Sequence, residues 1–151
     1  MKHRTLAAQA GILLATLMAA AAVSAAEFVS VIKDGVNVRS GPDTAAEIKF
    51  EAPANYPLQV LERKGDWLKV SDFENEQGWI SAKLVATPAV HVIVKKQGKG
   101  NIRAEASEKS PVVGTVAREV ILKKQDQQGD WLKVSHPQLS SGWIHRALVW
   151  P

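Results

Sequence analysis

Apolar and polar residues alternate along this chain in short runs. Val36 and Val38 interleave with Asn37 and Arg39, Leu68 and Val70 with Trp67, Lys69 and Ser71, and Ile80 sits between Trp79 and Ser81. A period of two sends alternate side chains to opposite faces of a strand. Lys69 cannot be buried without a partner, so Leu68 and Val70 face the core and Trp67 stands on the outer face. The same logic turns Ile80 inward and Trp79 outward. Turn signals separate the runs: Ser40-Gly41-Pro42-Asp43, then Lys64-Gly65-Asp66, then the polar stretch from Asp72 to Gln77. Short strands with turn signals roughly every eight to twelve residues predict a small all-β barrel. Ala45-Ala46-Glu47-Ile48-Lys49 has helical composition but a single apolar anchor, enough for one turn at most.

The pattern is then written a second time. Gly65-Asp66-Trp67-Leu68-Lys69-Val70-Ser71 returns as Gly129-Asp130-Trp131-Leu132-Lys133-Val134-Ser135. Gly78-Trp79-Ile80 returns as Gly142-Trp143-Ile144, Asn37 and Arg39 as Asn101 and Arg103, and Leu84-Val85 as Leu148-Val149. Every one of these landmarks is displaced by 64 residues. The reading is two barrels in tandem, 27–87 and 88–151, whose equivalent positions superpose at that offset. A period this long suits a small self-contained domain, not a solenoid repeat. Only Ala86-Thr87-Pro88-Ala89 lie between them, a short and stiff connection that predicts touching barrels with a shared cleft.

What precedes the first copy reads as an address. Lys2, His3 and Arg4 open the chain, Gly11 to Val23 is apolar, and Ala25-Ala26 supply small residues for cleavage. This is the plan of a secretory signal peptide over 1–26, shorter than the ~20 apolar residues of a membrane span. The expectation is a periplasmic or secreted protein with no membrane insertion after signal cleavage. The chain has no cysteine, so each module must rely on its apolar core. From Glu27 to Thr87 there are 7 Lys or Arg against 10 Asp or Glu, a net of −3, and from Pro88 to Pro151 there are 10 against 5, a net of +5. Modules of opposite sign can face different partners or each other. An exported chain without a basic run does not fit nucleic acid.

Gly35-Val36-Asn37-Val38-Arg39-Ser40-Gly41-Pro42, Gly65-Asp66-Trp67-Leu68-Lys69-Val70 and Gly78-Trp79-Ile80 together resemble the ordered motifs of bacterial SH3 domains, the SH3b type of cell-envelope proteins. The second copy departs at its first loop: Ala104-Glu105-Ala106 stands where Ser40-Gly41-Pro42 does, and Gly100 replaces Val36. The resemblance implies two SH3-like barrels and non-covalent binding of an envelope ligand, with peptidoglycan peptides favoured. A protein–protein adaptor or regulator of an envelope enzyme or secretion component is the alternative. The polyproline groove of eukaryotic SH3 domains is not implied, because Ser81 and Leu84 replace its proline and second tyrosine, and His145 and Leu148 do so in the second copy.

An outward indole offers a large flat apolar face and one N–H donor, which suits peptides and sugar rings. Trp67, Trp131, Trp79 and Trp143 are therefore the candidate ligand contacts, with Asn37 and Arg39 of the opening motif beside them. No catalytic or metal-binding residue is expected, and no cofactor. A Cys-His pair is excluded by composition, Gly-x-Ser-x-Gly is absent, and His91, His136 and His145 have no metal-ligand spacing. Asp66 and Asp130 read first as turn formers.

Overall fold

The computed structural model describes residues 25–151, so the leader expected over 1–26 falls almost wholly outside them. Seven strands build the first unit: β1 (Glu27–Val31), β2 (Val36–Arg39), β3 (Ile48–Ala52), β4 (Pro57–Lys64), β5 (Trp67–Ser71), β6 (Gln77–Ser81) and β7 (Val85–Ala86). Seven more build the second: β8 (His91–Val94), β9 (Lys99–Arg103), β10 (Val112–Ala117), β11 (Ile121–Gln128), β12 (Trp131–His136), β13 (Leu139–His145) and β14 (Val149–Trp150). The two sheets share one antiparallel plan, with orders β3-β2-β6-β5-β4-β1-β7 and β10-β9-β13-β12-β11-β8-β14. The only helical turns among the described residues are short 3-10 pieces, Ala82–Leu84 and Arg146–Leu148, again equivalent. Ala45-Ala46-Glu47 leads into β3 instead of forming a helical turn.

The Gly-Asp pair makes the expected hairpin. Lys64 pairs with Trp67, leaving Gly65-Asp66 as a two-residue loop, and Gly129-Asp130 does the same in the second unit. Gly65 has φ 57° and Gly129 φ 56°, while the following Asp is not left-handed. That sign pattern belongs to the type II′ turn, which needs glycine first and matches the twist of the flanking strands.

Alternation also places the core as read. Leu68, Val70 and Ile80 are buried with Val29, Val38 and Leu58, and Leu132, Val134 and Ile144 with Val92, Val94 and Leu122. The offset is where the structure corrects the reading. Val29 pairs with Leu58, but Leu122 pairs with Val92, and Val31 pairs with Val85 where Val149 pairs with Val94. The first strands are therefore related by 63, not 64. The extra residue is Lys99, between Gly98, which matches Gly35 at 63, and Gly100, which matches Val36 at 64, and a slip of one would otherwise have turned β8 inside out.

Gly78 and Gly142 show why the third motif begins with glycine. A Cβ on Gly78 would meet Val38 Cγ1 at 2.6 Å and the Arg39 carbonyl at 2.9 Å. On Gly142 it would meet Ile102 Cγ2 at 2.4 Å and the Arg103 carbonyl at 3.0 Å. Here β6 crosses against β2, and β13 against β9, with a single register pair each: Arg39 with Trp79, Arg103 with Trp143. Gly142→Ala is expected to cost about 1–3 kcal/mol through overpacking. Val70→Ala should cost a similar ~1–3 kcal/mol through lost burial and a cavity. Urea denaturation of each variant beside the parent measures both, and a Gly142→Ala midpoint equal to the parent's would refute the close crossing.

Candidate functional site

Each candidate site grows from the crossing just described. The Arg39 guanidinium donates through Nη1 to the Ala46 carbonyl at 2.9 Å, and Arg103 Nη1 to the Ser110 carbonyl at 2.9 Å. An arginine at the strand end thus ties down the far side of its first loop. The backbone bonds of that loop match as well, Ser40 N–H to Glu47 carbonyl at 2.8 Å and Ala104 N–H to Pro111 carbonyl at 3.0 Å. The second loop keeps its shape without the Gly-Pro pair because the arginine and these bonds hold it.

Beside the pinned loop lies a groove of about 500 Å³, lined by Lys33, Asn37, Arg39, Asp66, Trp67 and Lys83 among others. The structure brings Trp67, Asn37 and Arg39 together. A second groove of about 490 Å³ is lined by Lys96, Lys99, Asn101, Arg103, Glu108, Trp131 and His145. Asn101, Arg103 and Trp131 lie 64 residues after their counterparts in the first groove. Both indoles are partly buried, so each shows one face rather than standing free. Trp131 has the His145 imidazole set edge-on at 5.3 Å, where Trp67 faces Ser81 across the strands. His145 is held by its Nδ1, which accepts from the Ala147 N–H at 3.1 Å.

Trp79 and Trp143 line neither groove. Trp143 is only 9% exposed, and it sits beside Glu105, Ala106 and Ser107 of the first loop. The outward-facing reading of Trp143 is therefore corrected: it lies on the outer sheet face, but the loop pinned by Arg103 covers it. Trp79 is partly buried in the equivalent register, paired with Arg39 and Lys69. Sequence reasoning passed over the groove lysines and Glu108, which lie in loops, in a 3-10 turn (Lys83) or at a strand end (Lys99), outside the alternating runs. For Asn101 and Arg103 the signal was present in the 64-residue offset itself.

The units touch through equivalent parts. Arg118 of the second stacks its guanidinium over the Phe73 ring at 5.0 Å and pairs with Glu74 at 2.9 Å. Its other nitrogen donates to the Lys95 carbonyl. Glu119 reaches the pocket formed by Tyr56, Asp72 and Phe73. In return Ala54 and Asn55 of the first unit line a cleft of about 650 Å³ with His91, Lys123, His136 and Pro137 of the second. Asn55 and Glu119 are counterparts, both left-handed with φ 66° and 71°. The chain ends add one further contact, Phe28 meeting Trp150 edge-on at 5.4 Å. Contact from the same patch on both sides is the mark of an approximate two-fold relation. The expected cleft between the barrels is thus present, but it is separate from both indole grooves.

At this interface Tyr56 donates to Asp72 Oδ2 at 3.1 Å, and Asp72 Oδ1 accepts from the Glu74 and Glu76 N–H groups at 2.9 Å each. Burial, then the neighbouring Asp72 carboxylate, holds the Tyr56 phenol above its ordinary range and keeps it a donor. Among the described residues no three His, Cys, Asp or Glu side chains converge as a metal site, and no helix is long and apolar enough to cross a membrane.

Comparison with known proteins bears directly on this duplicated plan. Two family profiles, each described as Bacterial SH3 domain, match residues 34–86 and 96–151. The chain belongs to the bacterial SH3 domain family, in two tandem copies. Over 137 residues it is 23% identical to a Bacillus subtilis (strain 168) protein provisionally named N-acetylmuramoyl-L-alanine amidase YrvJ, covering 84% of this chain and 26% of that one. Among solved structures it is similar to NlpC2 and NlpC1 of Trichomonas vaginalis, at 14% and 15% identity with TM-scores of 0.37 and 0.38. Those matches cover 86% and 93% of this chain, and 49% and 51% of theirs. An NlpC/P60 family protein of Bacillus cereus ATCC 10987 gives 14% identity, a TM-score of 0.40, and 82% and 56% coverage. The tandem SH3 chain therefore spans about a quarter of the curated relative and about half of each solved chain.

One titratable group couples the second SH3 module to pH. Burial, and secondarily Lys123, push His91 below the ordinary histidine value, and its Nδ1 is buried with no hydrogen-bond partner among the described residues. The unfolded chain protonates this group near ~6.5 and the folded chain only at lower pH. The unfolded state therefore binds more protons in that window. Stability should be full above about pH 6.5 and decline as pH falls toward 5. Urea midpoints measured from pH 7.5 to 5 should fall more for the parent than for His91→Gln, and parallel curves would contradict the assignment.

Proposed function

We propose that this chain is an exported, non-catalytic binding protein whose tandem SH3 modules recognise the cell envelope, with peptidoglycan peptides as the ligand. The observation that carries the reading is the pair of equivalent grooves, each setting one face of an indole beside an asparagine and an arginine that is already fixed by its own loop. Such a groove offers an apolar plate with polar groups along one side, a surface suited to holding a short peptide or a sugar ring. Neither groove shows an acid hydrogen-bonded to a base, and the His145 Nδ1 of the second is taken by the Ala147 N–H, which favours binding over chemistry. Similarity to a protein named for an N-acetylmuramoyl-L-alanine amidase supports a wall ligand, because that name describes a bond between a wall sugar and an alanine. The same considerations support a periplasmic or secreted location.

Within this reading Trp67, Asn37 and Arg39 make the first contact set, and Trp131, with Asn101 and Arg103, the second. Trp79 contributes at the margin, and Trp143 acts by supporting the loop above it. The mature protein should pellet with purified sacculi. Trp67→Ala should weaken that binding more than tenfold, about 1.4 kcal/mol or above, with an unchanged melting temperature. Failure of the parent to pellet would instead favour the adaptor reading, in which the same grooves dock an envelope protein.

A further inference from the structure

We propose that both grooves take the same ligand chemistry, a free carboxylate next to a flat or apolar group, and that the chain holds a carboxylate-bearing polymer at both grooves at once. The identity of that polymer rests on the wall-binding reading, whereas the carboxylate preference rests on the grooves alone.

The two modules have diverged in charge, from a net of −3 to a net of +5. Their grooves have not. Lys33 and Lys96 are counterparts at the shifted offset of 63, and Arg39 and Arg103 at 64. The remaining charges have exchanged places. Lys83 of the first groove corresponds to Ala147, but Lys99 enters the second as the one inserted residue, directly after Gly98, the left-handed counterpart of Gly35. The lining acid also differs: Asp66 lines the first groove, whereas its counterpart Asp130 lies 3.9 Å from Arg146 and outside the lining of the second, where Glu108 stands at the position of Thr44. Each groove ends with three cations and one anion, a net of +2. A lysine lost and a lysine gained, with a different acid in the lining, leave the sum unaltered while the net charge of the module changes sign. Ordinary drift of two solvated surfaces gives no reason for that balance, whereas a shared anionic ligand does.

The geometry favours a carboxylate. Each arginine has one nitrogen committed to a loop carbonyl, which fixes the plane of the guanidinium and aims its remaining donors. A fixed planar donor matches a planar carboxylate. The asparagine beside it can both donate and accept, so it suits the amide next to a peptide terminus. Lysines on flexible stems supply charge without demanding a geometry. The indole covers whatever apolar or ring group adjoins.

The Arg118 contacts and the Phe28–Trp150 contact set the two grooves in one arrangement. Once one groove is occupied, the second meets a tethered ligand at high effective concentration, which raises avidity without any new contact.

The test pairs a small probe with the polymer. N-acetyl-alanyl-alanine is titrated, as free acid and as C-terminal amide, into the intact mature protein while the indole N–H signals are followed by NMR. The free acid should shift the Trp67 and Trp131 signals together, with dissociation constants within about threefold, and the amide should bind at least ~5-fold more weakly. Movement of only one of the two signals, or equal response to acid and amide, overturns the proposal. In parallel, sacculi are used untreated, stripped of phosphate polymers with hydrofluoric acid, or amidated at their carboxyl groups. Amidation should abolish pelleting and stripping should not; loss on stripping would make phosphate the ligand and refute the carboxylate. Lys33→Gln and Lys96→Gln, both at exposed positions, should each lower sacculus affinity about tenfold, as loss of one of two linked sites requires. If the free acid moves both indoles but untreated sacculi do not pellet, the wall reading fails and the carboxylate grooves stand. If sacculi pellet while the indoles stay silent, the reverse holds.

Discussion

In each module one strand pair, β2 with β6 and β9 with β13, meets at a single register pair over a glycine that has room for no side chain. That crossing fixes where Arg39 and Arg103 emerge. From there each guanidinium reaches a carbonyl seven residues on and stitches the first loop to the sheet. The loop then forms one bank of the groove, and the Gly-Asp hairpin places the indole on the other. Closing a small sheet over a core of about ten side chains leaves little stability to spare for modules of ~60 residues. The same few contacts therefore serve folding and site together.

The interface between modules follows the same economy. Arg118 lies over an aromatic ring while paired to a carboxylate, and Asp72 is almost buried yet receives a phenol and two backbone N–H groups. A buried carboxylate is tolerable only when its lone pairs are taken up in this way. The charges of opposite sign that distinguish the modules meet here in part, at Glu74 and Arg118. The charge asymmetry noted in the sequence leaves the two grooves with equal formal charge.

Alternation made the barrels legible. Lys69 and Lys133 forced the phase of their strands, and Leu68, Val70, Leu132 and Val134 are buried accordingly. The Gly-Asp turns carried their own geometry. Legibility failed where tertiary packing chooses between equal options. Nothing local says which of two outward tryptophans a loop will cover, so Trp143 looked like Trp131. The one-residue insertion at the start of β9 is not legible because β1 and β8 share no landmark residue, and only strand pairing reveals their true register. Groove lysines were invisible for a similar reason: they lie on loops, in a 3-10 turn and at a strand end, and it is the fold that gathers them round an indole.

The reciprocal contact between modules has a geometrical corollary. A two-fold rotation reverses the part of a direction that lies across its axis and leaves the part along it unchanged. Segments that run from asparagine to indole in both grooves would therefore keep one sense along the axis and take opposite senses across it. The angle between two such segments would be set by the contacts of Arg118 with Phe73 and Glu74, which hold one module against the other.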